Sequence, residues 1–398
     1  MLPENALTTP VVSGVDQRLF RGAYRVGMLG GGQLGRMLIQ AGLPFNLAVH
    51  VLDPQSDAPC RHVCHRFVTG DFSDHRTVVE FGRELDLVTL EIEHVDVDAL
   101  ETLKAAGVRV CPDPALVRTV QDKGLQKQFY QEHDLPTAAF TLLEGRQQLR
   151  ARADLLPCVQ KSRLAGYDGK GVAVIDSVAE IDRALDLPCV VEAKVDIEAE
   201  VSVLVARNRS GQVKTYPPVE MVVNRDRNLL DYLCCPARIE PDEQARATGV
   251  ALSLAEKLDL VGLLAVEMFV TREGDVLINE VAPRPHNSGH HTIETSNTSQ
   301  YEQHLRAIFD FSLGSTEMLF PAVMVNIIGA RGHTGPVVYE GIEPFLEVAG
   351  VHLHLYGKKL VQPFRKMGHV TIVRPEIDEA IDIAKRIRQE VKAVSCQK

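Results

Sequence analysis

Two glutamates, Glu267 and Glu280, stand in two apolar segments that a short polar stretch connects. The segments read LLAVEMFV and VLINE, with TREGD between them, and this pattern predicts a β-hairpin. We place a two-residue turn at Glu273-Gly274, because glycine accepts the positive φ that such turns require. Counting back from that turn pairs Met268 with Asn279 and sets Glu267 directly opposite Glu280.

Opposed acids of this kind have a definite chemistry. Side chains directly opposite on one face of a hairpin have Cβ atoms about 4.5–5.5 Å apart, where two carboxylates repel. Either a raised pKa or a bound cation must compensate, and Mg²⁺ typically takes one or two carboxylates together with substrate phosphates. The spacing therefore predicts that Glu267 and Glu280 hold magnesium. The alternative is a register shifted by one residue, which leaves the two acids on opposite faces.

A glycine-rich segment, AGYDGKG, runs from Ala165 to Gly171 between a KSR sequence and the apolar strand VAVI. Its three glycines give a loop whose amides can wrap phosphate groups, and Lys161 and Lys170 add positive charge. It is not a P-loop, since no Gly-Lys-Ser/Thr opens a helix. A solvated hairpin turn is the alternative interpretation.

A second glycine pattern, Gly30-x-Gly32-x-x-Gly35, follows a predicted strand and opens a predicted helix, and Asp53 ends the next strand. This is the arrangement of dinucleotide-binding folds, in which pyrophosphate lies at the helix N-terminus. Taken alone it leaves a nicotinamide-dependent oxidoreductase open. The other interpretation is a glycine turn that packs closely against any neighbouring group.

Cys60, His62, Cys64 and His65 form a short cluster that could suggest zinc. No second ligand pair follows at the spacing of known zinc modules, so we expect an ordinary loop and strand there. The chain has eight cysteines without disulfide spacing, which favours a reducing, cytoplasmic compartment.

Composition limits the remaining classes. The 398 residues are 45% hydrophobic and 24% charged, with a net charge of -10, which predicts a multidomain globular protein and makes nucleic-acid binding unexpected. No apolar run is long enough to span a bilayer, and the first residues lack the pattern of a secretory signal. We expect no membrane partner.

Strands and helical stretches alternate early in the chain and short strands dominate its end, which predicts an α/β fold with α+β C-terminal parts. The predicted divisions are a loose extension at 1–22, a Rossmann-like domain at 23–120, a nucleotide-binding domain at 121–320 and a small β-rich domain at 321–398. Within the second domain we expect a lid at about 121–190 and the metal-binding half at about 191–320.

These motifs resemble the ATP-grasp fold with an N-terminal preATP-grasp domain. More narrowly, the chain is similar to the N5-carboxyaminoimidazole ribonucleotide synthase family. The resemblance rests on GGGQLGRM at Gly30, YDGKG at Tyr167, NEVAPRPHNSGHHT at Asn279 and RKMGHVT at Arg365. It implies conversion of 5-aminoimidazole ribonucleotide, ATP and bicarbonate to the N5-carboxylated ribonucleotide, ADP and phosphate, with carboxyphosphate as intermediate. It also implies a homodimer in purine biosynthesis.

The resemblance also implies roles for individual residues. The ATP site would include Lys123, Lys161, Ala165, Gly166, Gly169, Gly171, Glu192, Ala193, Lys194, Val195, Glu200, Asn279 and Glu280. The ribonucleotide and the carboxylating intermediate would be surrounded by Gly32, Gln33, Leu34, Tyr167, Asp168, Lys170, Arg284, His286, Asn287, Lys358, Arg365 and Lys366.

Two positions depart from the family pattern. Val223 stands where some relatives have a histidine that contacts the nucleotide, so that contact is not carried over. Phe364 precedes Arg365 where a glycine is usual, which predicts a stiffer loop. Of the nearby histidines, we expect His290 and His291 to pack or hydrogen-bond rather than to bind metal.

Three questions stay open at this level. The base that deprotonates the exocyclic amine is either Asp168 or the released phosphate. A formate-dependent glycinamide ribonucleotide transformylase shares the first domain and the acids, although its first turn resembles GELGKE. An ATP-grasp homologue without catalysis is a third class, which the presence of both glutamates, Lys161 and the loop disfavours.

Overall fold

A computed structural model describes residues 16–164, 171–224 and 229–396. In these ranges the chain forms one parallel sheet and three antiparallel sheets. None of the helices described there has the length and apolar character that a bilayer crossing requires. The phosphate-loop residues Ala165, Gly166, Tyr167, Asp168, Gly169 and Lys170 lie outside the described residues.

The first sheet is parallel and has five strands. These are β1 (Arg25–Leu29), β2 (Ala48–Asp53), β3 (Arg66–Thr69), β4 (Leu87–Leu90) and β5 (Arg109–Val110), in the order β3-β2-β1-β4-β5. The helices are α1 (Gln33–Gly42), α2 (His75–Gly82), α3 (Val97–Ala105) and α4 (Pro114–Gln121). An aspartate side chain caps the first turn of each of the last three helices. The predicted βαβ arrangement is confirmed.

The second sheet is small and antiparallel. It contains β6 (Phe140–Leu143), β7 (Cys158–Ser162), β8 (Val172–Ile175) and β9 (Cys189–Ala193), in the order β6-β9-β7-β8. Helices α5 (Lys123–Glu132) and α6 (Arg146–Ala151) accompany it. The residues predicted to form the glycine-rich loop lie between β7 and β8 in the chain. These two strands pair with each other, from Cys158 with Ile175 to Lys161 with Val172.

The third sheet is long, antiparallel and central. Its strands are β10 (Ile197–Arg207), β11 (Val213–Thr215), β12 (Val219–Asn224), β13 (Leu229–Cys235), β14 (Gly262–Thr271), β15 (Val276–Ala282), β16 (Ala322–Ile328), β18 (Val351–Leu355) and β20 (Lys366–Val373), with β17 (Gly335–Glu340) and β19 (Leu360–Val361) intervening in the chain. The order is β15-β14-β10-β12-β13-β16-β20-β18, and β11 pairs with β10.

The C-terminal strands therefore continue the central sheet. Leu233 pairs with Met324, and Cys235 pairs with Ala322, which joins β13 to β16. A separate three-stranded sheet combines β17 and β19 with β21 (Lys392–Ser395). The small C-terminal region that the sequence indicates is thus tied by backbone hydrogen bonds to the sheet that carries the glutamates.

The remaining helices are α7 (Pro241–Lys257), α8 (Thr292–Thr295), α9 (Gln300–Ile308), α10 (Glu343–Leu346) and α11 (Ile377–Glu390). Helix α7 begins where Glu240 and Glu243 form a capping box with proline in the first turn. Helix α9 packs against both α1 and β14, and its buried His304 lies 3.0 Å from the hydroxyl of Thr89 on β4. Helix α9 therefore fixes the first sheet to the central one.

Part of the segment predicted to be a loose N-terminal extension is structured. Residues Leu19–Arg21 form a short 3-10 helix, and Leu19 is buried in the core beside Tyr24. A single apolar side chain that packs on a domain is hard to recognise in a polar, aperiodic stretch. Residues 19–21 are therefore structured, although they belong to the segment that the sequence predicts to be loose.

The buried His304 makes stability depend on pH. Burial lowers the pKa of His304 to about 4, so the folded protein keeps this ring neutral where the unfolded chain, with an ordinary pKa near 6.5, takes up a proton. Stability is thus lost as the pH falls below about 6.5. The free energy of unfolding should fall by about 2 kcal/mol less between pH 7 and pH 5 in His304→Gln than in the wild type. Urea denaturation at the two pH values measures this difference. His62→Gln, at an exposed ring, is the control, and equal pH dependence in wild type and His304→Gln would contradict the assignment.

Candidate active site

The hairpin of β14 and β15 carries the predicted acids, but not with the predicted turn. Glu267 does pair with Glu280, as expected. Nearer the turn, however, Met268 pairs with Ile278 rather than with Asn279, and a β-bulge lies between the two pairs. The connection is a three-residue loop closed by Gly274 at φ 83°. The predicted two-residue turn is therefore one residue too short. The bulge shifts the pairing by one residue, so that Glu267 and Glu280 still lie opposite each other.

The bulge at Asn279 has a local cause and a local effect. The backbone of Ile278 donates to the carbonyl of Pro136 (2.8 Å) and accepts from the hydroxyl of Thr137 (2.8 Å), so a neighbouring segment holds the strand there. An extra residue in one strand brings two consecutive side chains toward the same side. Asn279 and Glu280 are accordingly both half-buried and both reach lysines of the same site.

The electrostatics of the glutamate pair (Glu267 and Glu280) match the sequence-based argument. Burial, and then the charges of Glu280 and Glu200, raise the pKa of Glu267 to about 8. Lys366 and Lys123 act in the opposite direction. In the absence of a cation the pair therefore holds a proton at neutral pH, which is the signature of uncompensated negative charge.

Two lysines contact the hairpin from the lid side. Nζ of Lys123 lies 2.7 Å from Oε2 of Glu280, and Nζ of Lys161 lies 2.6 Å from Oδ1 of Asn279. Lys123 is the first residue of α5, and Lys161 lies on β7 just before the glycine-rich loop. Both cations thus stand beside the carboxylates, where polyphosphate would need positive charge.

Glu192 holds one of these lysines in place. Its carboxylate oxygens lie 2.8 Å from Nζ of Lys161 and 2.8 Å from Nζ of Lys127. Burial alone would raise the pKa of Glu192, but the two lysines lower it below its ordinary value. Burial lowers the pKa of Lys127 to about 8 despite this partner. The Glu192 side chain is therefore committed to orienting lysines, and Lys127 is a site residue that the sequence analysis missed.

The strand end after Glu192 faces outward. Ala193 and Lys194 are exposed and Val195 is half-buried. The amides of Ala193 and Lys194 already donate to the carbonyls of Ala139 and Pro157. Glu200 lies on β10 two positions before Ser202, which pairs with Glu267. Glu200 therefore lies on the same face of the central sheet as Glu267.

The segment after β15 brings a second group of polar residues to this face. Arg284 forms an ion pair of 2.9 Å with Glu93, which follows β4 of the first domain. Nδ1 of His286 accepts a hydrogen bond from the backbone amide of Ser288 (3.3 Å). The ring proton therefore lies on Nε2, which is 3.4 Å from Oε1 of Glu267. Burial, and then the charges of Arg284 and Lys366, hold the pKa of His286 well below its usual range. His286 is thus a neutral ring whose Nε2 lies beside Glu267.

Asn287 opens a short 3-10 helix, and its buried Oδ1 has no hydrogen-bond partner in the described part of the chain. An unsatisfied buried acceptor beside an active site is a candidate ligand contact.

The basic turn of the C-terminal region (residues 358–366) completes the arrangement. Nζ of Lys358 donates to the carbonyl of Lys366 (2.7 Å), and Arg365 donates to the carbonyl of Leu360 (3.0 Å) and approaches Gln55 of the first domain at 3.5 Å. Phe364 has a φ of 64°, a left-handed conformation that disfavours a side chain. This explains why a glycine suits this position. The backbone amide of Phe364 donates a hydrogen bond to the carbonyl of Gly329 (2.8 Å), which holds the residue there.

Two amides of the first glycine turn already have carboxylate partners. Gly31 donates to Oδ2 of Asp53 (2.7 Å), and Leu34 donates to Oε1 of Glu91 (3.2 Å). A Cβ on Gly32 would lie 2.4 Å from the same Glu91 oxygen, so the glycine is needed to admit this carboxylate. Burial raises the pKa of Glu91 to about 7. Chain carboxylates thus occupy the place of the pyrophosphate, which argues against the nicotinamide alternative.

Glu91 and Glu93 were not singled out from the sequence, although a signal exists. Both follow β4 in LEIEH, and ligands of parallel sheets gather at the carboxyl ends of strands. Gly32, Gln33 and Leu34 lie at the corresponding end of β1, beside Glu91.

Two other predicted positions have an ordinary structural explanation. Gly171 is the first described residue after position 164, and its φ is 74°. Its carbonyl accepts a hydrogen bond from the backbone amide of Ser162 (2.8 Å). Val223 is half-buried on β12, next to a bulge. In the described ranges no three His, Cys, Asp or Glu side chains converge as a metal site. The glutamate pair instead fits a magnesium ion whose remaining ligands come from phosphates and water.

Comparison with known proteins agrees with this geometry. Family models match residues 23–121 (ribonucleotide synthetase preATP-grasp domain), 128–301 (ATP-grasp domain) and 322–382 (phosphoribosylaminoimidazole carboxylase C-terminal domain). The chain is 36% identical over 371 residues to the N5-carboxyaminoimidazole ribonucleotide synthase of Bacillus subtilis, covering 92% of this chain and 95% of that protein.

Solved structures show the same fold. The N5-carboxyaminoimidazole ribonucleotide synthetase of Thermotoga maritima superposes with a TM-score of 0.87 at 38% identity, over 94% of this chain and 100% of the other. The Aspergillus clavatus synthase in complex with ADP and 5-aminoimidazole ribonucleotide gives 0.82 at 32% identity, over 91% and 99% of the two chains. On this similarity along nearly its whole length, the chain belongs to the N5-carboxyaminoimidazole ribonucleotide synthase family of ATP-grasp ligases.

Proposed function

We propose that this chain uses ATP to carboxylate 5-aminoimidazole ribonucleotide with bicarbonate, giving N5-carboxyaminoimidazole ribonucleotide, ADP and phosphate in purine biosynthesis. The observation that carries the proposal is the glutamate pair on one face of the central sheet, with Lys123 at 2.7 Å from Glu280 and Lys161 at 2.6 Å from Asn279. This set of charges suits a magnesium-bound polyphosphate. The relative from Aspergillus clavatus has been solved with ADP and 5-aminoimidazole ribonucleotide.

The nucleotide would lie between the small sheet and the central sheet. Lys123 and Lys161 contact its phosphates, with the loop from Ala165 to Gly171 over them. Backbone groups of Lys194 and Val195 read the adenine edge, and Glu200 accepts hydrogen bonds from the ribose. Glu192 acts indirectly, because its carboxylate holds Lys161 in position.

Magnesium bound by Glu267 and Glu280 would neutralise charge on the phosphates as the γ-phosphoryl group moves. Bicarbonate is a poor electrophile, and its phosphorylation by ATP gives carboxyphosphate, which has a good leaving group. Arg284, His286 and Asn287 come from the segment next to Glu280 and are placed to hold this intermediate. Closure of the glycine-rich loop would exclude water, which otherwise hydrolyses carboxyphosphate.

The ribonucleotide would bind along the carboxyl ends of β1 and β4. Gly32, Gln33 and Leu34 face it from the first domain, and Lys358, Arg365 and Lys366 neutralise its phosphate. Its exocyclic amine then takes up the carboxyl group from carboxyphosphate or from carbon dioxide released there. The amine proton passes to Asp168 or to the released phosphate.

Two further attributes belong to the proposal. All eight cysteines are free thiols, which suits the reducing cytoplasm. A homodimer follows from the family resemblance, and gel filtration with light scattering would measure it.

The role of Glu280 leads to a first activity prediction. Glu280→Ala removes one of the two carboxylates for magnesium and the partner of Lys123, so release of phosphate from ATP should fall roughly 100-fold or more. Glu273→Ala, at the exposed turn of the same hairpin, is the matched control and should keep full activity. Thermal denaturation of both variants checks the fold. Near-normal turnover of Glu280→Ala would refute the metal role.

A second prediction follows from the protonated state of Glu267. Because its pKa is raised to about 8 in the cation-free protein, a magnesium–nucleotide complex must displace a proton at pH 7. Apparent affinity for the preformed magnesium–ADP complex should therefore rise between pH 6 and pH 8. Titration calorimetry in two buffers of different ionisation heat should show release of close to one proton at pH 7.

Glu267→Gln is the control for that titration, since it has no proton to release at this position. A binding heat that is independent of the buffer in the wild-type protein would contradict the assignment.

A further inference from the structure

Three imidazole rings are stacked face to face between the central sheet and the segment that follows β15. The rings of His290 and His369 lie 4.4 Å apart at 25°, and those of His369 and His354 lie 4.4 Å apart at 10°. His354 and His369 face each other on β18 and β20, whereas His290 belongs to the segment after Glu280. This imidazole stack (His290, His369 and His354) thus joins two regions that are far apart in sequence.

Each ring of the imidazole stack has its own polar partner. The hydroxyl of Tyr301 lies 2.8 Å from Nδ1 of His290, and that of Tyr356 lies 3.0 Å from Nδ1 of His369. Nε2 of His354 lies 2.6 Å from Oε1 of Glu294. Buried polar rings need such partners, and the partners also fix the orientation of each ring. The stack is consequently a directional contact rather than a general apolar packing.

Two of the three rings, those of His290 and His369, are uncharged. His290 and His369 are completely buried, and burial holds the pKa of both well below the usual range. Neutral imidazoles can stack closely, whereas two protonated rings at this distance would repel.

The imidazole stack lies between two parts of the proposed site. On one side, His290 comes four residues after His286, whose Nε2 faces Glu267 at 3.4 Å. On the other side, β18 leads into the basic turn and β20 leads out of it, with Lys366 three residues before His369. The charge of Lys366 acts on Glu267, His286 and His290, so the basic turn lies close to all three.

We propose that the imidazole stack positions the basic turn over the glutamate pair, and that His290, His369 and His354 are positioning residues for the phosphate end of the ribonucleotide. None of the three needs to touch the substrate. They hold Lys358 and Lys366 at a fixed distance from the carboxylates, so that the ribonucleotide phosphate and the reacting amine reach their places together. This inference rests on the proposed function.

The test compares Michaelis constants in the full-length protein by phosphate release. His369→Ala removes the central ring, and we expect KM for 5-aminoimidazole ribonucleotide to rise roughly tenfold or more, with KM for ATP changed by less than about twofold. His369→Phe keeps a flat ring but loses the bond to Tyr356, and it should recover part of the loss. Ile372→Ala, at a fully buried position on the same strand, is the control for a merely destabilised strand and should leave both constants unchanged.

His354→Leu covers the case in which His369→Ala does not fold. This ring is partly exposed at the end of the stack, with a side chain 24% accessible, so its loss should be tolerated, and KM for the ribonucleotide alone should rise. Equal increases of both Michaelis constants, or an increase in Ile372→Ala as large as in His369→Ala, would overturn the positioning role. Unchanged constants in His369→Ala and His354→Leu would overturn it while the proposed function stands. A wild-type protein without ribonucleotide-dependent phosphate release would overturn both.

Discussion

The site depends on one electrostatic constraint, which is the repulsion between two carboxylates held on the same face of a sheet. Glu267 and Glu280 are fixed opposite each other by backbone pairing, so they cannot relieve the repulsion by moving apart. Burial and this repulsion together raise the pKa of Glu267, and the surrounding groups offset part of the negative charge. Lys123 contacts one acid, the neutral ring of His286 lies 3.4 Å from the other, and the charge of Lys366 acts from the C-terminal region. A magnesium ion with phosphates would satisfy the same constraint more completely.

The fold brings these groups together by sharing one sheet. Strands of the nucleotide-binding region and of the C-terminal region belong to the same central sheet, and α9 joins that sheet to the parallel sheet. Three sources of charge therefore meet on one rigid frame: the hairpin, the basic turn and the strand ends of the first domain. Strands β7 and β8, which flank residues 165–170 in the chain, belong to the small sheet, and this sheet carries Lys161 but no carboxylate of the pair.

Much of this could be predicted from local pattern. Two apolar runs joined by a polar turn segment located the hairpin, and alternating strands and helices identified the parallel sheet. The bulge at Asn279 could not be predicted, because it depends on contacts of Ile278 with residues 136–137 that are distant in sequence. The predicted pairing of Glu267 with Glu280 was right because two errors cancel. The predicted turn is one residue too short, and the bulge, which was not predicted, shifts the pairing back by one residue. Glu91 and Lys127 were missed for a related reason, since each becomes a site residue only through burial against residues that are distant in sequence, Leu34 and Glu192 respectively.

The account is tested most directly by the release of phosphate from ATP with 5-aminoimidazole ribonucleotide, measured with and without bicarbonate. The arrangement of acids, lysines and basic turn predicts rapid release only when the ribonucleotide and bicarbonate are both present, with one phosphate for each carboxylated product. Release that is independent of bicarbonate, or that requires formate and glycinamide ribonucleotide instead, would contradict it.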